Sequence, residues 1–183
     1  MSDTEPMIWF AMRATYGRNM EAKRVLDESG VVSFIPMHYV ISPGKGGRKQ
    51  KKHVPVVRDL VFIRTTNEGM LRLKESIDYL RNIYKPTAEG KKQIVAVPDD
   101  QMENFIKVSD SQDDGVMYFR PEEVNLAKGT KVRIHGGRYD GLEGSFVKVK
   151  GARDRRVVIE IAGVILVATA TLECDLVEVL QNE

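Results

Sequence analysis

Five short runs rich in β-branched and apolar residues fill the C-terminal third of the chain, at 130–134, 144–149, 157–161, 164–170 and 176–180. Gly136-Gly137, Asp140-Gly141, Gly151 and Gly163 part them. Glycine between runs stops a helix from propagating, while strands of this length joined by glycine turns bury one face each and close on themselves. Residues 126–183 are therefore expected to form a small all-β barrel.

The first half has a different texture. Ile8, Phe10, Met12 and Ala14 alternate with Trp9, Ala11 and Arg13, the two-residue period of a strand. Tyr16-Gly17-Arg18 breaks it, Asn19 is expected to cap a helix reaching residue 29, and Gly30 stops that helix. Residues 31–41 and 54–65 read as two strands of one long hairpin, with Pro36 at a bulge or edge. Asn67 is expected to cap a second helix carrying Met70, Leu73, Ile77 and Leu80. Short strands at 82–85 and 94–97 follow, and Pro98, Asp99 and Asp100 open a third helix. The order strand, helix, strand, strand, helix, strand, with one extra helix, is the split arrangement of a ferredoxin-like antiparallel sheet. The expected fold class is α+β, with an α/β sandwich at 1–108, a linker at 109–125 and the barrel at 126–183.

Charge follows the same division. Residues 1–98 hold 17 basic and 10 acidic side chains, 99–125 hold 2 and 8, and 126–183 hold 9 and 8. Opposite blocks of this size mark separate modules. Within 42–58 stand Lys45, Arg48, Lys49, Lys51, Lys52 and Arg58 with no acid, among Pro43, Gly44, Gly46 and Gly47. The segment reads as an exposed, mobile loop whose cations suit a phosphate backbone.

Catalytic chemistry has little support. His38, His53 and His135 fall in different elements, and no carboxylate joins them in a metal-binding helix pattern. The glycine-rich segment at 42–49 lacks the spacing of a phosphate-binding loop and precedes no helix. Cys174, the single cysteine, stands between Glu173 and Asp175, which disfavour a thiolate. One cysteine allows no intrachain disulfide and no thiolate metal cage. No apolar run is long enough to span a membrane, and the N-terminus does not read as a secretory signal. The expectation is a cytoplasmic binding protein: no enzyme, no cofactor, no metal, no membrane.

The stretch at 128–147, KGTKVRIHGGRYDGLEGSFV, resembles a KOW motif, a basic–apolar strand, a glycine turn, an aromatic and a second strand. KOW motifs occur in ribosomal proteins as well as in transcription factors. Upstream, IWFAMRATYG, FIPMHY, the basic glycine loop and VPVVRDLVFI resemble the N-terminal (NGN) domain of NusG-type elongation factors, in order and spacing over about residues 7–180. WFAMRATY, FIPMHY, VPDDQM, YFRPEE and VKGARDRRVV are similar to the UpxY branch, antiterminators of capsular polysaccharide operons.

The resemblance implies an NGN domain followed by an SH3-like KOW barrel. It implies docking on the β′ clamp helices of RNA polymerase and reach toward the β-subunit gate loop, which holds the clamp closed and disfavours pausing and termination. Aligned on the family's FPGYVLV-like segment, Val57 stands at the aromatic, Arg58 at the proline, Asp59 at the glycine and Leu60 at the tyrosine. Tyr16, Val57 and Leu60 are the expected polymerase contacts, as an exposed patch. Arg13, Arg18, Lys45, Arg48, Lys49, Lys51 and Lys52 are the expected contacts to nascent RNA or non-template DNA. The family's partner loop aligns with Ile161-Ala162-Gly163, and housekeeping members carry phenylalanine at the Ala162 position. The resemblance implies the ribosome or Rho as the partner of that loop; the missing phenylalanine weakens this docking and favours a specialised antiterminator over a general elongation and termination factor. A KOW-bearing RNA- or ribosome-binding protein with no polymerase contact is the competing reading.

Overall fold

The structure, a computed structural model, describes residues 5–111, 113, 115–170 and 177–180. It divides into two compact units, Met1–Asp99 and Asp100–Glu183.

In the first unit, β1 (Ile8–Ala14) pairs antiparallel with β5 (Leu60–Thr65) and β6 (Leu80–Asn82), and β2 (Ser33–Phe34) lies outside β5. A further short strand, β9 (Ala96–Val97), also pairs with β1. Helices α1 (Asn19–Glu28) and α2 (Asn67–Ser76) place Ala22, Leu26 and Met70 in one core with Phe10, Met12, Ala14, Val61 and Ile63. The opposite face of β1 and β5 carries Trp9, Ala11, Leu60 and Phe62, and these are buried as well. Four consecutive residues of β5 are thus out of water, Leu60 to Ile63.

Two expectations change here. The run 54–65 is not one strand. Its first residues belong to β4 (Lys49–Pro55), which pairs with β3 (Met37–Pro43) as a separate ribbon from Met37↔Pro55 to Pro43↔Lys49. Pro55, which lacks a backbone N–H, ends β4, and the turn before Leu60 redirects the chain into the main sheet. The other strand also splits, at Ile35-Pro36, where the Pro36 carbonyl accepts from the Val56 N–H at 2.8 Å. Thr66, and not Asn67, caps α2: its hydroxyl accepts from the Gly69 N–H at 2.9 Å. A small ribbon of β7 (Tyr84–Pro86) and β8 (Lys92–Ile94) precedes β9.

In the second unit six strands run β10 (Met117–Phe119), β14 (Ile165–Ala168), β13 (Arg156–Ile161), β12 (Glu143–Val147), β11 (Thr130–Ile134) and β15 (Val177–Val179), every neighbour antiparallel. Val124, Val147, Val149, Val158, Leu166 and Ala168 form one of its cores. The mixed α/β architecture with one main antiparallel sheet in each unit is the expected one. Within the expected linker at 109–125, β10 pairs with β14. Helix α3 (Asp99–Ser109) starts at the boundary between the two units. Lys107 Nζ donates to the Asp140 carbonyl, Ser111 Oγ lies 3.1 Å from the Tyr139 hydroxyl, and Arg138 donates to the Ser111 carbonyl.

Candidate functional site

β1 ends in a tight turn, Thr15–Gly17, in which two successive residues are left-handed: Tyr16 at φ 63° and Gly17 at φ 71°. For a residue with a Cβ that conformation costs about 1–2 kcal/mol. The neighbours hold it. The Ala14 N–H donates to the Asp59 carbonyl at 2.8 Å, and the Thr15 N–H and hydroxyl both donate to the Tyr79 carbonyl at 3.0 and 3.2 Å. Arg18 makes two 2.9 Å bonds to the Glu21 carboxylate and lies 3.7 Å over the Tyr79 ring. Glu21 is held below the usual carboxylate range by its hydrogen bond from Arg18, and burial raises the Tyr79 phenol.

Gly17 suits the turn through its positive φ, and the Arg58 side chain packs against it. A Cβ there would come 2.5 Å from Arg58 Nε. Asn19 is not a helix cap. It is the first residue of α1, 1% exposed, and its Nδ2 donates to the Val57 and Leu60 carbonyls at 3.1 and 3.2 Å. That amide fixes the β4–β5 turn against α1 and places Arg58 beside Tyr16-Gly17.

The expected aliphatic patch is therefore corrected. Leu60 is 2% exposed and belongs to the core, so it offers nothing to a partner. The strand's surplus of apolar residues is absorbed because both faces of β5 are buried, not because one of them is free. Val57 is half-buried at the base of the turn. Tyr16 is 88% exposed and stands clear of the surface. Arg58, Asn19 and Tyr79 surround the turn; the sequence reading places Arg58 in the basic segment and Asn19 at a helix cap, and only Tyr79 goes unnoticed. The break at Tyr16-Gly17-Arg18 is legible in the sequence; the residues packed around it come from distant parts of the chain.

The cationic candidates separate. Arg18 is engaged with Glu21 and Tyr79 at the turn. Arg13 is largely exposed, lies 3.8 Å from Asp59, and borders a hollow of about 480 Å3 shared with Asn82, Tyr84, Lys85 and Lys92. Arg48, Lys49, Lys51 and Lys52 are exposed on the β3–β4 ribbon; the Lys45 side chain lies outside the described set. The segment is not the shapeless loop expected from its composition. Pairing runs up to Pro43↔Lys49, and a 3-10 turn, Lys45–Gly47, closes it. Cross-strand contacts order it: Tyr39 stacks on His53 with centroids 4.6 Å apart, and the Lys51 ammonium lies 4.3 Å over the Tyr39 ring.

In the second unit, Ile161-Ala162-Gly163 forms the β13–β14 turn. Ala162 and Gly163 have φ of 48° and 73°, and the Val164 N–H closes on the Ile161 carbonyl at 2.8 Å. Two left-handed central residues are the mark of a type I′ hairpin turn. Ile161 is 0% exposed, so it is a core residue and not a partner contact. Only Ala162 and Gly163 reach the surface.

Among the described residues no three His, Cys, Asp or Glu side chains are grouped to hold a metal ion, and no helix is long and apolar enough to cross a membrane. Cys174 lies outside the described residues. No curated protein sequence matches the chain. One solved structure similar to it is described as "Domain interaction in Thermotoga maritima NusG", 19% identical, covering 96% of this chain and 98% of that one, with a TM-score of 0.44. The family model NusG, described as transcription termination factor nusG, matches residues 7–106. That match takes in β1, the Tyr16 turn, the ribbon and the main sheet, more than half of the 183 residues, and the chain belongs to the NusG family of transcription elongation and termination factors.

Proposed function

We propose that the protein docks on elongating RNA polymerase through the surface around Tyr16, with the half-buried Val57 at its base, and that docking suppresses pausing and termination. The observation that carries this reading is a tyrosine 88% exposed in a left-handed conformation. Strain and exposure of an aromatic both oppose folding, and a residue that keeps both is suited to a partner that covers it. Arg58 beside it adds a cation at the rim. The partner surface is the β′ clamp helices, with the β gate loop as the second contact that keeps the clamp closed. The mechanism needs no chemistry: binding the closed, elongating state more tightly than the open one shifts the equilibrium between them.

Within the family, the reading is an antiterminator of capsular polysaccharide operons, of the UpxY kind. The segments WFAMRATY, FIPMHY, VPDDQM and YFRPEE support it, as does the β13–β14 turn, where Ala162 offers a methyl group in place of an aromatic. The ribbon cations Arg48, Lys49, Lys51 and Lys52, with Arg13, suit the phosphates of non-template DNA or nascent RNA, and binding is then salt-dependent. Pull-down of a β′ clamp-helix fragment, run beside a terminator-readthrough reporter behind a capsule-operon leader, tests both levels. Tyr16→Ala should lose the pull-down and the readthrough together. Retention of both would remove the docking surface, and readthrough behind any leader would remove the operon assignment.

A further inference from the structure

The second unit carries a cationic hollow that none of the readings above uses. The short 3-10 turn Leu126–Lys128 lies flat on β12, and Gly129 makes this possible: a Cβ there would come 3.0 Å from Ser145 Cβ and 3.3 Å from Val147 Cβ. Lys128 is thereby brought across from the β12–β13 connection. Asn125, Lys128, Val147, Lys148 and Arg155 line a hollow of about 220 Å3 between them.

Three cations and one amide surround it, and no carboxylate lines it. Lys148 is held in place by donating to the Arg153 carbonyl. The connection continues the charge, because residues 148–155 hold Lys148, Lys150, Arg153 and Arg155 against a single acid, Asp154. Lys128, Lys148, Lys150, Arg153 and Arg155 are all exposed, and among the described residues none has a carboxylate within ion-pair distance. Elsewhere in the same unit Arg133 is paired with Glu143 and His135 with Glu178, whereas among the described residues no carboxylate pairs with the cations lining the hollow.

We infer that this hollow takes a phosphate of a single nucleic-acid strand, with Lys150 and Arg153 meeting the next phosphate along. Ligand sites for whole small molecules span about 300–1,000 Å3, so this hollow is sized for one phosphate and its sugar. Its floor is Val147 and its polar rim donates protons, with no aromatic platform for a base. Such a site reads the backbone and not the sequence. The barrel thus meets nucleic acid at the β12–β13 end, while its β13–β14 turn presents only Ala162 and Gly163.

The test uses the full chain without polymerase, so it stands or falls apart from the docking proposal. Binding of fluorescent oligo(U) and oligo(dT) is followed by anisotropy from low to moderate salt for the parent and for Lys128→Ala with Arg155→Ala. Each lost phosphate contact on a single strand lowers the slope of log K against log salt by about 0.7, so the double variant should lose about 1.4. Its circular dichroism and melting should match the parent, since both side chains are exposed. A loss with one strand type and not the other names the source of the phosphate. An unchanged slope with both strands overturns the inference. Equal competition by polyglutamate overturns it too, because the hollow would then answer to negative charge alone.

Discussion

Two turns in this protein share one backbone shape and put it to opposite uses. At the end of β1, Tyr16-Gly17 are both left-handed, and at the β13–β14 connection Ala162-Gly163 are both left-handed. They are the two described non-glycine residues with positive φ. The first carries a large aromatic into solvent and is braced from outside by Arg58, Asn19 and the Tyr79 carbonyl. The second carries a methyl group, and a Cβ added at Gly163 would meet nothing within 4 Å. The strain is similar; the bracing and the display are not. The first turn displays a large aromatic side chain, and the second displays only a methyl group.

The largest expected effect is at the displayed residue. Tyr16→Ala should weaken binding to the β′ clamp-helix fragment by about 2 kcal/mol or more, near thirtyfold in Kd. Unfolding in urea should show no loss, since alanine fits the left-handed turn no worse than tyrosine does. A loss of stability without loss of binding would make Tyr16 a structural residue and end the contrast.

The glycines sharpen it next. Gly17→Ala adds left-handed strain and drives Arg58 from its place, so the first unit should lose about 1–2 kcal/mol. Gly163→Ala adds strain alone, and about 1 kcal/mol should go from the second unit. Equal losses in denaturant titrations would show that Arg58 moves aside freely and braces nothing. At the undisplayed turn, Ala162→Asn should raise stability by about 0.5–1 kcal/mol, because asparagine tolerates the left-handed region better than alanine. A fall in melting temperature there would mean that the methyl group is packed, not idle.

The smallest effect is with pH. Glu21 beside Arg18 and Glu178 beside His135 are both held below the usual carboxylate range by those hydrogen bonds. A depressed carboxyl contributes stability that is complete above its unfolded value of about 4.3 and is lost as pH falls through the folded one. Glu21→Gln should flatten the acid limb of melting in the first unit and Glu178→Gln in the second. Unaltered acid limbs would leave both pairs as solvated surface contacts.

The barrel strands were readable because glycine punctuation and β-branched runs are local signals, and β11 falls on the residues expected for it. The single long strand at 54–65 was misread because the hydrophobic run continues through a change of sheet. Val54 is half-buried in the ribbon and Val61 is 0% exposed in the core, so composition alone cannot tell them apart. Asn19 looked like a cap because short polar residues at helix starts usually are. Its partners, Val57 and Leu60, are about forty residues away, and only the folded chain brings them near. Leu60 is placed on an exposed patch by the sequence for a related reason: alternation along a strand does not report whether its second face is covered, and in β5 both faces are buried.

The β3–β4 ribbon bonds along its length to itself and stands apart from the main sheet. Its reach is consequently a free variable. Taking the tip pair Pro43↔Lys49 away draws the closing turn, with Arg48, in by about 3.4 Å and leaves every remaining pair in register. No core residue has to change in compensation. Lineages sharing this fold can lengthen or shorten the ribbon, and so choose what lies within its range, without redesigning the unit that carries it.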